Sequence, residues 1–177
     1  MSSPSASAGN VMLISRRITQ INRALCIWIS VATLLMVLIT FAIVVLRYGV
    51  GVGWIAMQES VMYLHAAVFM IGIAFTLAED GHVRVDVFYR KMSPKNKCWI
   101  DAVGTLVLLF PVCIFIFFYS LPYVTESWSL LETSQEAGGL PLVFLLKTLI
   151  PLGALLLFLQ GVSMLINSVT QLINLTK

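Results

Sequence analysis

ALCIWISVATLLMVLITFAIVVL, residues 24–46, is 23 consecutive residues without a charge. A bilayer core needs about 20 apolar residues from a helix, and a helix buried in a soluble protein needs no such length. Three more uncharged runs follow: Ser60–Ala78, Ala102–Thr125 and Thr148–Thr176, of 19, 24 and 29 residues. Lipid admits only segments that satisfy their own backbone, and none of the four alternates as a barrel strand would. The reading is an all-α integral membrane protein with four transmembrane helices. The expected spans are about 24–46, 57–78, 102–124 and 145–172.

Composition agrees. Of 177 residues, 59% are hydrophobic and 11% charged, and the mean hydropathy is +0.96. One four-helix membrane domain fills residues 1–177, which leaves no room for a second globular domain. The net charge of +3 comes without the basic–aromatic interleaving of a nucleic-acid surface, so no nucleic-acid partner is expected. Cys26, Cys98 and Cys113 lack CxxC spacing, and the two within apolar runs read as small packing residues. The first apolar run is too long for a signal h-region and lacks a cleavage site, so it reads as a retained span.

Before the first span, residues 1–10 read as a disordered Ser/Ala/Pro/Gly-rich tail. Val11, Ile14, Ile18, Ile21 and Leu25 then recur at helical spacing around Arg16, Arg17, Gln20 and Arg23. This is an expected amphipathic interfacial helix running into the span. Residues 79–101 suggest a second interfacial helix, with Val83, Val87 and Arg90 on one face and Pro94 ending it. The run 83–87 also alternates like a strand. Nine basic residues lie at the termini and in this connection, against Arg47 and Lys147 on the other side. The excess of positive charge places both termini in the cytoplasm. The acidic outer loop, 126–140, ends in Gly138-Gly139-Leu140-Pro141, a turn before the fourth span.

Residues seven apart share a helix face. Cys26, Thr33, Thr40 and Arg47 form such a line, as do Gln58, His65, Gly72 and Glu79, with Met62 and Phe69 beside the second. On the fourth span Gly153, Gln160 and Asn167 run beside Ala154, Gly161 and Ser168, opposite an apolar side. Small and polar residues mark helix–helix contact in membranes. A bundle could satisfy these faces internally, or they could dock another membrane protein. Arg47 and Glu59 flank a short outer connection containing Trp54, and either pair with each other or meet a partner.

No Asp, Glu, Lys or Arg sits near the middle of a span, which argues against a proton relay or ion-coupled site within this chain. His65 is the only histidine inside a span, too few for haem ligation by bis-histidine pairs. No phosphate-cradling loop or nucleophile motif is present. No enzyme activity, cofactor or metal is expected.

The ordered set Arg47-Tyr48, Trp54, Glu59, Gly72 and Gly81-His82-Val83-Arg84-Val85-Asp86 resembles the small, DctQ-like membrane subunit of tripartite ATP-independent periplasmic (TRAP) transporters. The resemblance covers about the first hundred residues in motif and the whole chain in layout. It implies a division of labour. A periplasmic solute-binding protein captures a solute, usually an organic acid. A large multi-span subunit carries the substrate and sodium sites, and the small subunit packs beside it among the inner-membrane lipids. The partner-facing residues expected on this analogy are Arg47, Trp54, Glu59, His65, Gly72, His82, Arg84, Asp86, Gln160 and Gly161. For His82, Arg84 and Asp86 a helix facing lipid headgroups is the other reading. Two rivals remain: a self-sufficient small four-helix transporter, which needs an embedded acidic residue, and a haem-bearing membrane anchor of a respiratory enzyme.

Overall fold

The computed structural model describes residues 6–82 and 89–175, with side chains from Met12 onward except Cys26. Helix α1, Ala6–Val45, starts inside the stretch read as a tail and continues through a wider π turn, Leu46–Val50. It is followed by α2, Ile55–Ala78, and by α3, Pro94–Gly104. A second π turn, Thr105–Leu109, joins α3 to α4, Phe110–Ser129, and α5 is Val143–Leu175. Four of these helical rods are long and apolar enough to cross a membrane, and no strand occurs among the described residues. At 1.5 Å per residue α2 matches one bilayer, whereas the 40-residue α1 extends about 60 Å and overshoots it. The mid-chain segment with Arg84 and Asp86 lies outside the described residues.

Local chemistry sets the breaks. Pro94, expected to end a helix, opens one: it sits in the first turn, where its missing N–H costs nothing, and Ser93 caps the helix by accepting from the Asn96 N–H at 3.3 Å. Pro111 follows the second π turn, which shifts the hydrogen-bond ladder where proline has no donor to offer. α4 ends in a Schellman motif around Leu131 at φ 44°, with the Glu132 N–H donating to the Ser127 carbonyl at 3.0 Å. The same motif ends α2 around Asp80, at φ 57°.

α5 is the hub. It packs against α1, α2, α3 and α4, α1 also lies along α2, and α4 rests chiefly on α5. Close approach is made possible by Gly153 and Gly161. A Cβ on Gly153 would come within 2.9 Å of the Met70 carbonyl oxygen on α2, and one on Gly161 within 2.6 Å of Leu109.

The contact between α1 and α5 is polar. Asn22, 3% exposed, donates through Nδ2 to Oε1 of Gln160, 4% exposed, at 2.8 Å. The Ser15 and Ser163 hydroxyls share a hydrogen bond of 2.7 Å, and Ser15 and Thr19 add contacts to Asn167 and Ser163. The start of α1 and the end of α5 therefore lie at the same end of the bundle. Each such interhelical hydrogen bond is worth about 0.6 kcal/mol in a membrane.

Candidate partner interface

At the opposite end of the bundle the loop 130–142 folds back onto α2. Glu59 accepts from the Ser134 hydroxyl and, at 2.6 Å, from the Leu140 N–H. Gly139 makes this possible, because a Cβ there would lie 2.4 Å from the Ser134 hydroxyl oxygen and 2.7 Å from Oε1 of Glu59. Glu132 accepts from the Lys147 ammonium and from the Ser127 hydroxyl at 2.6 Å. Those two donors hold its carboxyl below the ordinary value of 4.5. Lys147 also sits 3.9 Å over the Tyr123 ring, and Trp128 donates to the Thr148 hydroxyl at 2.8 Å. The acidic loop is thus a tied-down cap on α2, α4 and α5.

This arrangement answers the question of Arg47 and Glu59. The two do not pair: Glu59 is taken by its own loop, and Arg47 forms no ion pair among the described residues. Arg47 is exposed in the last turn of its rod, a position that suits a cation against the helix dipole. Beside it Tyr48 is 82% and Trp54 61% exposed.

The expected polar lines divide. On α1 the side turned toward the bundle runs through Ser15, Ile18, Asn22, Leu25, Ile29, Ala32 and Met36, while Thr33 and Thr40 face outward. Their hydroxyls donate to their own helix, at the Ile29 and Met36 carbonyls. On α2, Gly72 lies 4.0 Å from an Ile29 methyl if given a Cβ, and Glu79 pairs with Arg23 at 2.8 Å. Gln58 and His65 instead face out, together with Met62 and Phe69. His82 is exposed just beyond the C-terminal end of α2. Gln160 and Gly161 lie within the chain's own core, against Asn22 and against Leu109 and Phe110.

Sequence reasoning missed Ser15, Thr19 and Asn22 as the partners of α5. The signal is present: Ser15 and Asn22 stand seven apart, within the stretch whose apolar residues recur at helical spacing. Ile14 and Ile21 are exposed instead, at 55% and 58%. The loop contact to Glu59 had no local signal beyond the two glycines.

Among the described residues no group of His, Cys, Asp and Glu could hold a metal ion. The Tyr63 hydroxyl is the one buried side-chain polar atom there without a partner. A cleft between α4 and α5, lined by Cys113, Ile114, Phe117, Phe118, Ala154, Leu155 and Phe158, is wholly apolar.

No curated protein and no solved structure matches the chain. The family of tripartite ATP-independent periplasmic transporters, DctQ component, matches residues 36–171. That span takes in the C-terminal quarter of α1, from Met36 on, all of α2, α3 and α4, and α5 almost to its end. The chain belongs to the DctQ family, a family of transporter components and not of enzymes, and so is the small membrane component of a tripartite transporter.

Proposed function

We propose that this DctQ-family chain scaffolds the large transport subunit in the bacterial inner membrane, with both termini in the cytoplasm. The complex would take up an organic acid delivered by a periplasmic binding protein, driven by sodium. The carrying observation is that most of the described buried polar groups, the Tyr63 hydroxyl apart, are spent on the chain's own contacts. Asn22, Ser15, Gln160 and Ser163 bond one another, and Glu59 bonds its own loop. No Asp, Glu, Lys or Arg stands mid-span to couple an ion, and no cluster of His, Cys, Asp and Glu forms among the described residues. This supports placing the solute and ion sites in another subunit. The exposed outer group of Arg47, Tyr48 and Trp54, the outward stripe with His65, and His82 at the inner end support lateral docking. In this reading Glu59, Gly72, Gln160 and Gly161 act through the shape of the chain itself.

Purification of the tagged chain from native membranes in mild detergent tests the reading. A multi-span hydrophobic protein should be recovered in stoichiometric amount, and Arg47→Ala should reduce that recovery more than it reduces expression. Solute flux through liposomes holding the chain alone would favour the self-sufficient transporter. A haem Soret band would favour the respiratory anchor.

A further inference from the structure

Within the span of α2, only Gln58, Met62, His65 and Phe69 are exposed; Ala74 is buried and the remaining residues are partly covered. Their spacing of four, three and four is that of a coiled-coil seam, a strip two residues wide that one facing helix covers. We infer that this strip receives a single membrane-spanning helix of the large subunit, one that presents a hydrogen-bonding side chain to His65 and a basic residue to Glu136. The inference rests on the subunit reading given above.

His65 carries the first half of the argument. Its ring stacks on Phe69 with centroids 6.5 Å apart, and among the described residues it has no hydrogen-bond partner. Lipid tails offer an imidazole nothing to bond. Ionisable side chains within spans face protein or water instead. The other outward surfaces differ. Thr33 and Thr40 on α1 are satisfied by their own helix, and Leu106, Val107, Phe115 and Phe118 on the α3–α4 rod are apolar. Those faces suit lipid, and the α2 strip does not.

Charge carries the second half. The outer end of the strip opens into a groove lined by Ile55, Gln58, Glu59, Met62 and Glu136. Glu59 is engaged by Ser134 and Leu140, whereas Glu136 makes no ion pair among the described residues. The Glu136 backbone N–H donates to the Ser134 hydroxyl at 3.1 Å, which holds the residue beside the groove. The complement of this rim is a cation near the outer end of the incoming helix. A second copy of the chain fits poorly, because a two-fold contact along this strip would bring the Glu136 carboxylate toward its own copy.

The test uses the whole transporter in its native membrane. Photoreactive p-benzoylphenylalanine replaces Met62 or Phe69, with Phe115 on α4 as the comparison site. After irradiation the chain is purified under denaturing conditions and the adduct identified by mass spectrometry. The expected adduct is with the large subunit, from positions 62 and 69 and not from 115. Co-purification is read in a parallel, unirradiated preparation in mild detergent. There His65→Leu should lower the co-purified large subunit about threefold, the equivalent of one average interhelical hydrogen bond of ~0.6 kcal/mol, and His65→Gln should retain it. An adduct from 115 alone, or none from 62 and 69 while the large subunit still co-purifies, overturns the assignment of this face and leaves the subunit reading standing. An adduct between two copies of the chain overturns the choice of partner. Absence of the large subunit from the wild-type preparation overturns both readings.

Discussion

Asn22 and Gln160 show how one pair of side chains holds two helices in register. Each satisfies the other where water is excluded, so removing one strands its partner. Asn22→Leu or Gln160→Leu should therefore destabilise the protein by about 1–2 kcal/mol, and the double variant should lose less than the two single losses added together. Reversible unfolding in mixed micelles measures this cycle, and simple additivity would mean that the pair is not coupled. Glu132 makes a separate prediction about pH. Its carboxyl is lowered by Lys147 and Ser127, so its stabilisation is complete above the ordinary value of 4.5 and is lost as pH falls through the lowered one. Tm measured against pH should show the wild type above Glu132→Gln near neutrality, with the two converging in acid. Parallel curves would assign the loss to shape and not to charge. Gly139 is the third residue of this kind. Gly139→Ala forces a Cβ into Ser134 and Glu59, and limited proteolysis should then cut the loop 130–142 that the wild type protects.

At the scale of elements, the helices were legible in the sequence and their facing only partly so. Long uncharged runs leave no alternative to helices in lipid, which is why four rods emerged from composition alone. Facing depends on which neighbour a polar side chain finds. Thr33 and Thr40 mark a polar line, yet a threonine on a helix can bond its own carbonyls and then needs no neighbour. Asn22 has no such local option and turns inward. The fourth span was readable because glycine, serine and glutamine coincide on it, and α5 is indeed the most buried helix. Glu59 was not readable, since its donors lie about eighty residues away in a loop whose path no periodicity encodes. Gly153→Val should test the α2–α5 contact. Its side chain would press on the Met70 carbonyl at a backbone contact that cannot rotate away, costing about 1–3 kcal/mol in the same unfolding assay.

Over the whole molecule, the two ends of the bundle differ in kind. One carries the Ser15–Ser163 seam and the Arg23–Glu79 pair, and the other carries the folded acidic loop. With basic residues massed at the first end, a membrane-impermeant maleimide added outside the cell should label Gln135→Cys and spare Lys95→Cys; the reverse pattern would invert the proposed topology. The hub position of α5 has a consequence in time. It is the last of the described helices to be synthesised, yet all the others lean on it. Until it enters the bilayer, Ser15 and Asn22 have no Ser163 or Gln160 to meet, and α4 lacks its main support. The earlier spans must wait in lipid, or in the insertion machinery, as an unfinished set. A ribosome that stalls before residue 143 would leave a fragment exposing unsatisfied polar groups to hydrocarbon, a ready mark for the membrane's proteases. Assembly of the bundle is thereby made conditional on the arrival of α5.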